Sequence, residues 1–403
     1  MIGGSRGFKL LWMGEVVSEF GGAAGGIING LLLFEWTGSK EWMGAIWLIY
    51  FLPSLVMQGV SAPFLNHVRK ERLMRRVQVI RALAYLLPLL GTLIHTKAAV
   101  IAGLFILQCV LGLLQPIYAS LGFSLLPSLC KEDELKKCNA LLDGTLRIMS
   151  FLAPGIISLL LIIFPMHLLY FISSCMFLLS YVSLKKLPES SPQYSSVWSK
   201  KFWWGEMRKG YRVFFQYPIL LKLTVLSSIV QFAVGAALVV NIPFIKEELK
   251  GANWMYAIFS GAFPIGYTIG TFILSRSNLG RKAMYAGLAG GGASFLLLVI
   301  VPSAPFAWMT ELFGGICFPL FNAQSSALFQ KLAPKERLSQ LSSIRLLFIR
   351  VGMPLGILFA TLCSSIGSSE RMIYGIIGLV ILIPALYSYF QSFLVNKKIN
   401  LNI

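Results

Sequence analysis

Stretches of about 20 mostly apolar residues recur along nearly the whole of this chain, each long enough to cross a hydrocarbon core of about 30 Å as a helix. No motif constrains the fold as strongly. In lipid a backbone amide has no water to bond, so a spanning segment must satisfy its own polar groups as a helix or close into a barrel. Continuous apolar runs, rather than alternating ones, select helices. Twelve spans are predicted, at about 8–35, 42–65, 77–95, 98–127, 139–164, 167–185, 219–245, 254–275, 283–301, 305–330, 339–365 and 371–395. The expected fold class is an all-α integral membrane protein. Composition agrees, since 13% of the residues are charged where a soluble domain has about 25%.

A net charge of +19 would suit a nucleic-acid partner, but the positive residues sit where membrane topology would put them. The connectors assigned to the outside hold only Lys40, Lys97, Lys246, Lys250 and Arg371. The connectors at 66–76, 131–137, 185–222, 276–282 and 331–337 hold most of the others. By the positive-inside rule these face the cytoplasm, which places both termini there and leaves no role for nucleic acid. Short connectors favour the inner (plasma) membrane of a bacterial cell. The longest connector, 186–218, is charged and aromatic and reads as an amphipathic helix on the membrane surface. The expected organisation is a six-helix half at 1–185, this linker at 186–218, and a second six-helix half at 219–403.

The halves also repeat. Asn29 precedes Trp42-Met43-Gly44-Ala45-Ile46 by the same spacing as Asn241 precedes Trp254-Met255-Tyr256-Ala257-Ile258. The run from Pro116 parallels the run from Pro319, a register that sets Arg147 opposite Arg350. Repeats in the same order predict two pseudo-symmetric halves of like orientation, one of the known transporter architectures.

With these features in place the chain resembles the major facilitator superfamily, and within it the drug-exporter branch of macrolide-efflux and enterobactin-exporter relatives. Leu11-Trp12-Met13-Gly14, Ser18 and Gly21 match that branch's opening, and Pro127, Glu134, Leu135, Asn139 and Ala140 match the loop into the fifth span. The family's basic loop after the second span is present from Ala62 to Arg72, with Ala62 where the family has glycine and Asn66 where it has an acid. Ala153-Pro154-Gly155 partly matches the antiporters' Gly-Pro motif, and Gly22 stands where the branch commonly has an acid. The resemblance implies secondary transport of a small molecule by alternating access, and a gating role for the loop carrying Asn66, Arg69 and Lys70.

Candidate chemistry begins in the first span, where Glu15 and Glu19 lie one helical turn apart and share a face. A carboxylate near mid-membrane is costly and usually faces protein or a wet cavity. Glu19 is the first candidate for proton coupling and Glu15 the second, the alternative for each being a structural pairing. Gly21-Gly22-Ala23-Ala24-Gly25-Gly26, directly after them, would let another helix approach closely. Asn29, Gln115, Asn241 and Asn322 could line a substrate cavity or join helices through their amides. Glu311 could bind a cationic substrate, close an outer gate, or stand solvated near the mouth. Asp143, Arg147, Arg345 and Arg350, near the cytoplasmic ends of their spans, suggest a gate network.

No nucleophile–base pair, metal constellation or phosphate-binding loop is present, so neither an enzyme nor a cofactor is expected. The six cysteines lack metal spacing. The leading expectation is a monomeric, proton-coupled exporter of a small amphipathic or hydrophobic, drug-like compound, with protons and membrane lipids as its other partners. The alternatives are a lipid, lysolipid or metabolite transporter of the same fold, and a membrane sensor without flux.

Overall fold

Among residues 5–37, 40–188, 200–277 and 279–400, which the computed structural model describes, all regular structure is helical. The first half of the chain supplies α1 (Arg6–Thr37), α2 (Lys40–Ser61), α3 (Lys70–Ile94), α4 (Lys97–Leu129), α5 (Leu135–Ile163) and α6 (Met166–Lys185). After α7 (Lys200–Gln216) come α8 (Pro218–Pro243), α9 (Asn253–Arg276), α10 (Arg281–Ile300), α11 (Ala304–Leu332), α12 (Leu338–Ser365) and α13 (Glu370–Asn400). A π turn, Phe244–Glu248, ends α8, and a 3-10 turn, Lys335–Arg337, leads into α12.

Ten of these helices are long and apolar enough, among the described residues, to cross a membrane. Twelve spans were expected. Helices α2 and α5, with 22 and 29 residues, lie where two further spans were expected but fall outside that count; the described apolar stretch of α2 is Leu48–Ser61. Helix α7 occupies the expected amphipathic linker, whose first part, 189–199, lies outside the described residues. The side chains of Pro154 and Gly155, part of the family motif, also lie outside them.

Local chemistry sets the helix ends. The Ser5 hydroxyl accepts from the Phe8 amide at 3.2 Å, and Thr96 accepts from Ala99 at the start of α4, each supplying an orphan amide with an acceptor. His95 closes α3 in the left-handed region, φ 55°. Gly367, φ 83°, occupies the turn before α13, where a Cβ would be strained.

Contacts divide the chain into two units. Unit 1 comprises Met1–Glu132, Met149–Gln216 and Ala333–Leu347; unit 2 comprises Asp133–Ile148, Tyr217–Leu332 and Phe348–Ile403. The first part of α5 therefore belongs with unit 2, and the first part of α12 with unit 1. In unit 1, α6 packs on α1 and α3, while α4 packs on α3 and α2. In unit 2, α13 packs on α8 and α10, while α11 packs on α10 and α9. The pairing order is the same in both. Tyr85, Tyr170 and Phe177 anchor the core of unit 1, with Tyr85 stacked on Phe177 at 5.2 Å. Phe295, Phe318 and Tyr374 form the corresponding aromatic chain in unit 2.

Without a hydrophobic force between helices in lipid, close packing through small residues does much of the work. A Cβ on Gly112 of α4 would lie 2.2 Å from the Tyr50 carbonyl oxygen of α2, and one on Gly315 of α11 would lie 2.3 Å from the Phe263 carbonyl oxygen of α9. The Pro116/Pro319 register pairs these two glycines, so the sequence repeat is written into backbone contact. Gly22, by contrast, has open space where a Cβ would go. Gly112→Ala and Gly315→Ala are each expected to cost about 1–3 kcal/mol through overpacking against backbone. Gly22→Ala is expected to stay within about 0.5 kcal/mol of the parent. Thermal unfolding of the purified variants in detergent measures the contrast.

Candidate functional site

The glycine-rich stretch of α1 serves two faces. Gly21 and Gly25 carry the close approaches: a Cβ on Gly21 would lie 3.0 Å from Met176 Cβ of α6, and one on Gly25 would lie 1.9 Å from the Tyr85 hydroxyl of α3. Gly22 and Gly26 leave open space. With Ser18, Glu19, Ala23, Asn29 and Gly30 they form one wall of a cavity of about 740 Å³ inside unit 1. Tyr50 of α2, Arg81 and Tyr85 of α3, Gln108 and Gln115 of α4, Ser150 of α5 and Phe177 of α6 complete much of the lining. Spacings of three and four residues keep Glu19, Gly22, Ala23, Gly26 and Gly30 on one helical face.

Arg81 is a cavity residue that the sequence alone did not single out; it lies about 16 Å along α3 from Lys70 at 1.5 Å per residue. It is 3% exposed. Its guanidinium donates to Gln115 Oε1 and, at 3.4 Å, to Gln78 Oε1. Gln78 in turn donates to the Ser180 hydroxyl of α6 at 2.6 Å. The Tyr118 ring lies 4.7 Å from the guanidinium carbon and the Phe177 ring 5.8 Å. The positive charge of Arg81 acts on both Glu15 and Glu19. Of these two acids only Glu19 lines the cavity; Glu15 Oε1 points toward α4, 3.5 Å from where a Gly122 Cβ would stand.

Asn29 and Gln115 line this cavity, Gln115 committed to Arg81. Asn29 is 1% exposed, and neither atom of its amide has a hydrogen-bond partner among the described residues. A buried amide left unpaired costs free energy that a ligand can recover. Asn241, Glu311 and Asn322 belong to unit 2 and do not line the unit 1 cavity. Asn241 Oδ1 accepts from the Tyr374 hydroxyl at 2.7 Å. Glu311, half-buried in α11, has no hydrogen bond or ion pair among the described residues.

The anticipated gate residues fall into two clusters. In unit 2 the Tyr267 hydroxyl donates to Asp143 Oδ2 and accepts from Asn322 Nδ2 at 3.0 Å, and Arg147 stands 5.3 Å from the Tyr267 ring. Nearby, Asn139 Nδ2 donates to Gln330 Oε1 at 2.7 Å. Asn322, read from sequence as a cavity residue, is thus held by the Asp143 cluster. In unit 1, Asn66 Oδ1 accepts from the Gln340 amide at 3.2 Å, and Gln58 donates to the hydroxyls of Ser120 and Ser343 at 3.0 and 2.8 Å. Ser339 donates to Ser124 at 3.0 Å. Arg345, 3% exposed, lies 5.2 Å from the Phe123 ring. Arg69 and Lys70 stand at the start of α3, while Arg350 lies further along α12 in unit 2.

Helix α7 ties this serine-rich cluster together. Trp203 Nε1 donates to the Val60 carbonyl at 3.2 Å, and Gln340 Nε2 donates to the Glu206 carbonyl at 2.7 Å. The Glu206 carboxylate accepts from Lys209 at 3.0 Å and Arg337 at 3.3 Å. Burial pushes the Glu206 carboxyl up, but the Lys209 hydrogen bond and the charges of Arg337, Lys209 and His67 outweigh it and hold it below the ordinary range.

Among the described residues no group of three or more His, Cys, Asp or Glu side chains could hold a metal ion. The arrangement can bind a small molecule in a cavity whose charge changes by one when Glu19 takes a proton.

The Major Facilitator Superfamily model matches residues 11–277. A Bacillus subtilis (strain 168) protein described as the uncharacterized MFS-type transporter YvqJ is 20% identical over 385 residues, covering 91% of this chain and 88% of that one. Solved structures share the fold. A bacterial homologue of the iron transporter ferroportin, in an outward-facing state, aligns with a TM-score of 0.74 at 15% identity over 95% of this chain and 97% of its own. The human organic anion transporter MFSD10 (TETRAN) gives 0.74 at 12% over 95% and 99%. The E. coli Fucose:proton symporter gives 0.72 at 16% over 94% and 98%. Identities this low speak for fold alone.

A carboxylate held below its unfolded-state pKa contributes stability above that value and loses it as pH falls through the lowered one. The parent is therefore expected to lose more of its unfolding temperature than Glu206→Gln on acidification from neutral pH to below about pH 4. Tryptophan-fluorescence melts across pH check this, and parallel curves for the two proteins would show that the Glu206 ion pairs add no stability.

Proposed function

The chain belongs to the major facilitator superfamily, a multi-pass secondary transporter of the alternating-access type rather than an enzyme, and from the unit 1 cavity we propose that it couples transport to protons through Glu19. The observation that carries this reading is Glu19 in the cavity wall under the charge of Arg81. Ionised, Glu19 and Glu15 outweigh the guanidinium by one charge; protonation of Glu19 brings the set to neutrality. A substrate carrying charge or a strong dipole then meets a different cavity in each protonation state. That difference in affinity is what a coupled cycle needs, because a ligand shifts an equilibrium only by its differential affinity for the two states.

The cargo we propose is a small amphipathic or hydrophobic, drug-like compound, moved outward in exchange for protons. Tyr50, Tyr85 and Phe177 supply apolar surface, and the unpaired amide of Asn29 supplies a hydrogen-bonding site. Helices α2 and α5 complete twelve spans in two pseudo-symmetric halves, with the basic connectors and both termini on the cytoplasmic side of the cell membrane. The Asp143, Arg147, Tyr267 cluster, and the set containing Asn66, Arg345 and Gln340, act as gates that close and open in the cycle, with Arg69, Lys70 and Arg350 at their margins.

A second reading follows from Arg81 itself. A guanidinium in a cavity wall suits a carboxylate or other organic anion, so a metabolite anion is the alternative cargo.

In liposomes enclosing a pH-sensitive dye, lipophilic cations and neutral drugs are expected to evoke proton movement under an imposed pH gradient. Glu19→Gln is expected to abolish that proton movement and leave residual transport insensitive to pH; unchanged coupling would falsify the role of Glu19. Arg81→Gln separates the two cargoes. It removes organic-anion transport by about tenfold or more if the guanidinium binds the substrate, and leaves a neutral drug's affinity within a few-fold if it serves charge balance.

A further inference from the structure

The basic end of α3 carries Arg69, Lys70, Arg72, Arg75 and Arg76, and it meets the end of α6. Two clefts of about 360 and 520 Å³ open there and share Arg72 and Arg76. The larger is lined also by Arg75, Tyr181 and Lys185, with Val79 and Ile80 beneath. Arg72, Arg76 and Lys185 are exposed. Arg75 donates to the Lys185 carbonyl at 3.5 Å, so α3 and α6 are joined at the rim of the cleft. The side chains of Arg76 and Lys185 have neither hydrogen bond nor ion pair among the described residues. The acid within this stretch, Glu71, is buried, 3% exposed. The start of α3 adds the positive end of its helix dipole.

Below the cations the surface turns apolar without a break. Ile80 is 45% exposed, and Leu83 and Leu90 follow it down the outer side of α3 at helical spacing. Val182 continues the same surface on α6. A cation-lined cleft with exposed apolar side chains beside it matches one kind of ligand. We propose that the α3–α6 cleft is a binding site for an anionic phospholipid, with the headgroup phosphate among Arg72, Arg75, Arg76 and Lys185 and an acyl chain along Ile80 and Leu83. A phosphatidylcholine carries the same phosphate but brings its own cation against the cluster, so the cleft discriminates by net charge. The site is separate from the Glu19 cavity and independent of what the transporter carries.

Native mass spectrometry of the detergent-purified full chain, with dioleoyl phosphatidylglycerol and dioleoyl phosphatidylcholine at equal concentration, tests it. The parent is expected to retain phosphatidylglycerol preferentially. Replacing Arg72, Arg76 and Lys185 together by Gln is expected to weaken that binding by about 100-fold, and Arg76→Gln alone, should the triple variant not fold, by about fivefold. Removing equal charge at Arg276, Arg281 and Lys282 is expected to leave it within about twofold. Equal retention of the two lipids, or equal loss in both triple variants, overturns the proposal. So does thermal stabilisation of the parent by inorganic phosphate alone that disappears in the Arg72/Arg76/Lys185 variant, since that result assigns the cleft to a soluble anion.

Discussion

The Arg81 guanidinium, held by Gln78 and Gln115 and acting through its charge on Glu15 and Glu19, is the interaction on which the interior of unit 1 depends. A lone charge at membrane depth is expensive, and breaking a buried ion pair by removing one partner costs about 3–5 kcal/mol because the other charge is left uncompensated. The surroundings are arranged accordingly. Gln115 and Gln78 fix the fork of the guanidinium, and Tyr118 and Phe177 cover its faces. The glycines of α1 let Tyr85 and Met176 come close on one side while leaving the cavity open on the other. A compact charge set beside open space can change its net charge without repacking a core.

The contacts assigned to gating are of a different kind. Ser120, Ser124, Ser339, Ser342 and Ser343 are all buried, and they bond through single hydroxyls or to Gln58. Hydrogen bonds between helices in membranes average about 0.6 kcal/mol, so a cluster of them joins helices at modest cost to separate. Small side chains also allow close backbone approach with little rotamer entropy to lose. Helix α7 adds charge to this, since Glu206 binds Arg337 and Lys209 while its backbone receives Gln340. The linker is thereby fastened to the end of α2 and the start of α12, a role that its amphipathic pattern alone did not reveal.

Much of the site was legible in residue types, and much of its grouping was not. Glu19, Asn29 and Gln115 were recognisable because polar groups in apolar spans are rare and need a reason. Asp143 and Arg147 were recognisable as neighbours because four residues make one helical turn. Tyr267 was invisible as their partner, since a tyrosine in a span looks like any aromatic. Arg81 was visible as a charge but not as a cavity residue: its distance from the basic connector suited snorkelling as well as burial, and only the positions of Gln78 and Gln115 decide between them. Asn322 could line a cavity or join helices on its sequence alone, since an amide's chemistry suits either place, and its bond to Tyr267 is visible only in the fold.

By itself the sequence determined the all-helical membrane class, the charge asymmetry and the internal repeat, because each follows from interactions averaged along the chain: apolar transfer into lipid, backbone satisfaction within a segment, and register between like segments. The Gly112 and Gly315 contacts show how far a repeat register reaches into structure. Tertiary packing alone decided which glycines touch a neighbour and which leave room, which carboxylate faces the cavity, and which arginine joins it in the lining. Those choices depend on side chains from helices distant in the chain meeting within a few ångströms, and periodicity along one helix does not encode the rotation of the next.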